Sequence, residues 1–355
     1  MNKGIYLRGK ARIGNNCEPY LIAEIGTNHN QDINTARELV SQAVEAGFDC
    51  VKFQTYEAEE IVSNNVMARD YGLHKYYGNI TGFEMFSKFL KTPKEWFPEL
   101  LNLCREKGID CATTIHGNHG MAWARSLNFD LIKIASMDHN NFPFLSALVN
   151  KIDVPILVSF GMAKLQDIDL AVDILQSHNP GFGIFHCVSI YPPSIQQLRL
   201  ANISFFCKRY SAPVGFSDHT DDVTTSLIAL AMGIRLFEKH ITLDKNSQGP
   251  DHSFALEPQQ MKIYVEGIRA LAKGIDLKTF QPITKSEEVA RTKYLKSIVA
   301  ARDIPKEHAL TAADLTLSRP GTGIEPKELD SILGRTLKNF MPKGSLLNWD
   351  DLIIK

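Results

Sequence analysis

The sequence predicts an α/β fold, a (β/α)8 or TIM barrel followed by a small, mostly β domain. Three observations predict it. Short apolar runs rich in β-branched residues recur eight times along the chain, each followed by a polar residue and a helical pattern. Strands alternating with helices of this length imply βαβ units and a parallel sheet. Eight such units over about 255 residues have the count and length of a closed barrel. Third, the first strand-to-helix turn reads EIGTNHN (24–30). An open doubly wound sheet would usually offer GxGxxG there.

In chain order, the strands are YLIAEIG (20–26), CVKFQT (50–55), DCATTIH (110–116), LIKIAS (131–136), PILVSFG (155–161), GIFHCVS (183–189), PVGFSDH (213–219) and RLFEKHIT (235–242). Amphipathic stretches at 34–46, 94–107, 164–177, 221–232 and 258–273 supply helices between them. Residues 56–93 interrupt this rhythm as an insertion rich in aromatics (Tyr71, Tyr76, Tyr77, Phe83, Phe86). Its length suggests a functional lid, and its aromatic content argues against disorder. The barrel is expected to span residues 1–275, and the polar stretch 276–292 reads as a linker. Residues 293–355 alternate short strands with turns such as PGTG and PKG, which describes a small β domain. So small a piece is expected to have little core of its own and to lean on a partner surface.

Composition excludes several classes of function. With 39 Lys+Arg against 40 Asp+Glu, the 355-residue chain has a net charge of −1 and no electrostatic footprint for nucleic acid. No apolar run approaches the ~18 residues of a membrane helix. The N-terminus has no apolar signal region, and the six cysteines form no CxxC pair. A cytoplasmic enzyme with reduced thiols is expected.

Barrel enzymes carry their chemistry at the C-terminal ends of strands. Those ends hold Glu24, Lys52 with Gln54, Thr114, Lys133 with Ser136, Ser159, Ser189, Ser217 with His219, and Glu238 with His240. Residues two apart share a strand face. Charged groups inside apolar strands are costly unless paired or used on a ligand. The gathering of Glu24, Lys52, Lys133, Glu238 and Lys239 at equivalent ends therefore favours a polar site over scattered ion pairs. His219 and His240 end neighbouring strands and could share a divalent cation with positions left open. The alternative is a pair of hydrogen-bonded core histidines. Two lysines, several serines and Thr114 would suit a phosphate and a carboxylate.

Together the motifs AEIGTNHN (23–30), VKFQT (51–55), IKIAS (132–136), SFGM (159–162), HCVSIYP (186–192), GFSDHT (215–220), EKHIT (238–242) and GPDHSFALEP (249–258) resemble the bacterial sialic acid synthase family. The tail, with LSRPGTG (317–323), looks like that family's antifreeze-like (SAF) domain. The resemblance covers nearly the whole chain and is loosest at 56–93. It implies condensation of phosphoenolpyruvate with an N-acetylated amino sugar to give a nine-carbon 2-keto acid. It also implies a divalent metal ion (manganese first, magnesium or cobalt as alternatives) held by His219 and His240. Lys52, Thr114, Lys133, Ser136, Ser159, Ser189 and Ser217 would hold phosphoenolpyruvate, and Glu24 would be the acid/base. Gln54, Asp138, Tyr191 and Asp251 would line the sugar end. Arg319 would reach the sugar from a second chain in a domain-swapped homodimer.

One position departs from the family pattern, which has Glu where this chain has Asp138. A carboxylate shorter by one methylene withdraws by about 1.5 Å, enough to stretch a hydrogen bond past useful range. This puts N-acetylmannosamine in doubt as acceptor and leaves 6-deoxy di-acetamido sugars of the legionaminic or pseudaminic type open. Two rival functions are a Schiff-base aldolase using Lys133 and a non-catalytic barrel that binds a sugar or an ice-like surface through its tail.

Overall fold

The computed structural model describes residues 4–7, 10–14, 17–275 and 280–353. The chain forms two compact units, Met1–Leu277 and Lys278–Lys355. In the first, a hairpin of β1 (Ile5–Leu7) and β2 (Lys10–Ile13) precedes a closed barrel of parallel strands. These are β3 (Tyr20–Glu24), β4 (Cys50–Thr55), β5 (Asp110–Ile115), β6 (Leu131–Ile134), β7 (Ile156–Phe160), β8 (Phe182–Cys187), β9 (Val214–Asp218) and β10 (Leu236–His240). Each falls on its expected run to within two residues at either end. The barrel closes between β10 and β3, from Leu236 beside Tyr20 up to His240 beside Glu24.

Alternation sorts every strand into two faces. Outward residues such as Leu21, Val51, Ile132, Val158, Ile184 and Phe237 join the large apolar core beneath the helices. Helix α1 (Ile33–Ala46) shows how the sequence supplies that layer. Asp32 caps its first turn by accepting from Asn34 N, and Gly47 ends it at φ 90°. Ala36, Leu39, Val40 and Ala43 form its buried stripe.

Inward residues change character along the barrel axis. Tyr20, Ile22, Cys50, Ala112, Leu131, Leu157, Phe185 and Leu236 fill the lower half, and Ile5, Leu7 and Ile13 of the hairpin plug it. Each fully buried Ile or Leu here contributes about 2 kcal/mol. The hairpin is not among the sequence expectations, because strands of three and four residues carry too little periodicity. Above this apolar floor the inward positions belong to Glu24, Lys52, Thr114, Lys133, Ser159, Ser217, Glu238 and His240, all buried.

Lys239 does not join them. Alternation turns it outward, where its Nζ lies 2.6 Å from Thr220 O and 3.1 Å from Asp218 Oδ2. The same carboxylate accepts from Thr225 and Ser226 at the start of helix α9 (Thr224–Ala231). This is a structural ion pair, and the expectation that Lys239 serves the mouth is corrected. The remaining helices α2 (His74–Tyr77), α3 (Gly82–Met85), α4 (Phe97–Lys107), α5 (Asn118–Ser126), α6 (Phe142–Lys151), α7 (Leu165–Leu175), α8 (Ala201–Arg209) and α10 (Pro258–Ala272) complete this unit.

The insertion is folded. Ala68, Met85 and Leu90 form a small core of their own, covered by Leu73, Tyr77, Ile80 and Phe86. Within the expected linker, residues 276–279 lie outside the described ones, but α11 (Lys285–Tyr294) is a helix with a Thr284–Glu287 capping box. It buries none of its residues, so no apolar stripe announces it. The second unit pairs β11 (Ser297–Ala300) with β12 (Leu315–Ser318) in antiparallel fashion. It also corrects an expectation. Ile298, Ile304, Leu310, Ile324, Ile332, Leu337, Leu347 and Leu352 are among a buried cluster, so the tail has a core of its own. Among the described residues no helix is long and apolar enough to cross a membrane.

Candidate active site

The C-terminal mouth of the barrel opens into a cavity of about 540 Å³. That is within the ~300–1,000 Å³ usual for small-molecule sites and has room for two small substrates. Its floor is an ion network. Lys52 Nζ lies 2.8 Å from Glu24 Oε2, donates to Thr114 Oγ1 at 2.8 Å, and stands 3.7 Å from Glu238 Oε2. Lys133 Nζ donates to both oxygens of Glu238, at 2.9 and 2.8 Å. Ser217 Oγ donates to the same carboxylate at 2.9 Å.

Register explains this meeting. Glu24 pairs with Lys52 across β3 and β4, Thr114 with Lys133 across β5 and β6, and Ser217 with Glu238 across β9 and β10. Electrostatics then divides the two carboxylates. Burial opposes the charge on Glu238, but Lys133 and Lys52 outweigh it and hold its pKa well below the usual range. Burial dominates at Glu24, only partly offset by Lys52, and raises its pKa to about 7. Burial also lowers the pKa of Lys133, whereas at Lys52 Glu238 and Glu24 overcome burial and raise it. Near neutral pH the floor thus holds two ammoniums against one firm carboxylate and one that is half ionised. That surplus suits an anionic ligand.

Hydroxyls continue the cradle. Ser189 Oγ donates to Ser136 Oγ at 2.9 Å, and Ser136 Oγ accepts from Gly161 N at 2.7 Å. A Cβ at Gly161 would come within 2.2 Å of Ser189 Oγ and 2.6 Å of Ser136 Oγ, so only glycine fits this row. Ser159 Oγ is buried and has no protein partner. A buried hydroxyl left in this state favours a ligand that supplies the missing bond.

Across the mouth, the rings of His219 and His240 lie 5.5 Å apart, with Tyr191 packed 4.4 Å from His219. Burial lowers the pKa of His219 to about 4 and pushes that of His240 well down, so both imidazoles are neutral. His219 Nδ1 donates to Val188 O at 2.8 Å, which leaves a lone pair on Nε2. His240 Nδ1 is buried with no hydrogen-bond partner, 3.8 Å from Asp251 Oδ2. Burial also raises the pKa of Asp251, to about 6. Neutral imidazoles with one orphaned nitrogen suit a divalent cation. Among the described residues no three His, Cys, Asp or Glu side chains form a ready-made metal centre. The two histidines would therefore share a cation with non-protein ligands. Gly26, at φ 53°, lets the nearby groups converge, since a Cβ there would meet Glu24, Gln54 and Asp251 at 3.1–3.5 Å.

Among the expected sugar-end residues, Gln54, Tyr191 and Asp251 line the cavity, and Gln54 donates to Glu24 at 3.2 Å. Asp138 is turned to another task, 2.7 Å from His116 Nδ1. Arg319 belongs to the second unit, exposed, with its guanidinium over the Tyr294 ring. Several lining residues are not among the sequence expectations: His116, Thr27, Ser253, Cys187 and, from the lid, Lys75; the lid aromatics Tyr71, Tyr76 and Phe86 line the cavity as well. The lid is fastened to the barrel by Glu60, which accepts from His119 N at 2.7 Å at the start of α5, and its own two ends are tied together by Lys91 on Glu57 at 3.1 Å.

The chain is similar to known proteins over most of its length. A model described as the NeuB family matches residues 39–278, and a SAF domain model matches residues 296–353. The N,N'-diacetyllegionaminic acid synthase of Legionella pneumophila is 33% identical over 96% of this chain and 96% of its own. The N-acetylneuraminate-9-phosphate synthase of Homo sapiens is 30% identical over 89% of this chain and 88% of its own. Among solved structures, the N-acetylneuraminic acid synthetase of Leptospira borgpetersenii in complex with citrate shares a TM-score of 0.71 at 27% identity, covering 82% of this chain and 96% of that one.

Proposed function

The chain belongs to the NeuB family and carries a SAF domain, and from that premise we propose that it condenses phosphoenolpyruvate with an N-acylated amino sugar and water. The products are a nine-carbon 2-keto acid and phosphate. One observation supports this most: a floor of two buried ammoniums and partnerless or convergent hydroxyls lies beside neutral histidines under an aromatic lid.

Lys52, Lys133, Thr114, Ser136, Ser159, Ser189 and Ser217 would hold the phosphate and carboxylate of phosphoenolpyruvate. A divalent cation at His219 and His240, manganese by preference, would act as Lewis acid on the acceptor's aldehyde oxygen. Gln54, Tyr191 and Asp251 would orient the sugar so that its aldehyde carbon meets C3 of the enol. Carbon–carbon bond formation leaves positive charge at C2. Glu24 would stabilise that charge when ionised and take a proton from the water that adds there. The C2–O bond to phosphate then breaks, the ketone forms, and the lysines stabilise the departing phosphate. Tyr71, Tyr76 and Phe86 of the lid would keep stray water from phosphoenolpyruvate.

A Schiff-base aldolase would need Lys133 as a free amine, but its double hydrogen bond to Glu238 favours the ammonium. An acceptor panel with phosphate release and product mass as readouts tests the synthase. N-acetylmannosamine and its 6-deoxy di-acetamido relatives are the acceptors to compare. Release that depends on one of them, with a product of the summed mass, is expected. Intact phosphoenolpyruvate with every acceptor would contradict the proposal.

A further inference from the structure

We propose that His116, oriented by Asp138, is a determinant of acceptor-sugar specificity: its Nε2 accepts a hydrogen bond from an O–H or N–H on the part of the sugar remote from the aldehyde. The inference rests on the synthase reading above.

His116 follows β5 directly. Ala112, Thr114 and His116 are two apart, so the pleat that aims Thr114 into the barrel carries His116 to the next level up. Thr114 touches Lys52 on the floor. His116 therefore stands above the anion cradle, at the level where a second substrate would lie. Its side chain is 4% exposed, yet it lines the cavity, and its Nε2 has no protein partner. A buried, partnerless ring nitrogen on a residue that lines a cavity costs free energy until a ligand completes it.

Its orientation is fixed from two sides. The Asp138 carboxylate is 2.7 Å from Nδ1, and the Tyr56 ring meets the imidazole edge to face at 5.4 Å. The carboxylate oxygen accepts from the ring, so Nδ1 carries a proton, and in the single-proton tautomer Nε2 presents a lone pair. Asp138 is thus a positioning residue, and its shorter side chain is matched to a histidine rather than to the sugar itself.

Placement in the barrel says which part of the sugar is read. In the closed strand order β5 lies opposite β9, the strand that leads directly into His219, and β10 with His240 is next to β9. With the aldehyde held on the histidine side beside Glu24, the far end of the acceptor faces the wall formed by β5 and β6. A hydroxyl and an acylamino N–H both offer the donor that Nε2 requires, and the acceptor panel separates them.

The test compares KM for acceptor and for phosphoenolpyruvate in His116→Phe, His116→Gln, Asp138→Asn and the double variant His116→Phe with Asp138→Asn. Phe keeps the ring and its contact with Tyr56 but removes Nε2. We expect the acceptor KM to rise ~10-fold or more in His116→Phe, as for a lost hydrogen bond at a buried site. KM for phosphoenolpyruvate should stay within twofold. Gln returns an acceptor atom and should recover part of the loss, and adding Asp138→Asn to His116→Phe should cost nothing further. An acceptor whose donor group is replaced by hydrogen should no longer distinguish wild type from His116→Phe. Unchanged acceptor KM in His116→Phe, or both KM values rising together, would overturn the assignment while leaving the synthase reading intact. Absence of phosphate release by the wild type with every amino sugar would instead overturn that reading, and this assignment with it.

Discussion

Glu24 sits where burial works against its charge and Lys52 only partly restores it, so its carboxyl titrates near 7. A raised carboxyl pKa means that the protonated form persists to higher pH, and the base becomes available only as pH climbs through that value. The acid limb of kcat/KM should therefore rise through about pH 7. In Glu24→Gln the pH-dependent limb should vanish and kcat should fall by ~10²–10⁴, with phosphoenolpyruvate binding retained by the lysines and serines. Turnover near normal would show that Glu24 has another role. The histidine pair yields a second expectation. His219→Ala or His240→Ala should abolish tight manganese binding in calorimetry and the restoration of activity after chelation. Full turnover of the wild type in excess chelator would contradict this. At this scale the sequence was legible wherever period-two alternation sets direction, which holds for Lys52, Thr114, Lys133, Ser217 and Glu238. The same rule places His116 above Thr114, but its partner Asp138 comes 22 residues later on another loop, and no local pattern links the two. Lys239 was misread because its charge was counted with the mouth although it stands between Glu238 and His240, where alternation turns it to the opposite face.

In the proposed reaction the lid would exclude water, and beside Gln31, His29 and Gln248 one of its anchors to the barrel is Glu60. Its carboxylate caps the start of α5 through His119 N and also lies against Gly117, where a Cβ would collide with it. Capping carboxylates contribute about 0.5–2 kcal/mol. Glu60→Ala should therefore loosen residues 56–93 without unfolding the barrel. Faster proteolysis within that segment and more phosphate release without acceptor would reveal it. If both stay at wild-type levels, the lid does not depend on this cap. The eight strands were readable because buried parallel strands are continuous apolar runs with turn signals between them. The lid was readable as an insertion but not as a fold, since its core is three residues drawn from three turns. The plugging hairpin and α11 escaped for opposite reasons. One is too short to show a period, and the other buries nothing.

At the scale of the molecule, a catalytic barrel is joined to a second unit that has its own core and carries Arg319, exposed over Tyr294. We propose that this guanidinium serves the acceptor in a partner's barrel. Mixing Glu24→Gln with Arg319→Ala under exchange should restore about a quarter of normal activity, because half of the dimers are mixed and each has one intact site. If the unit serves its own barrel, activity stays at the level of the separate variants. The central claim is that the barrel mouth joins an amino sugar to phosphoenolpyruvate and releases phosphate by cleaving the C2–O bond. Phosphoenolpyruvate labelled with ¹⁸O in the oxygen bridging C2 and phosphorus tests it most directly, with ³¹P resonance shifts reporting the isotope in the released phosphate. The account predicts that phosphate appears only with acceptor present and keeps the label. Unlabelled phosphate, or label release that ignores the acceptor, would contradict it.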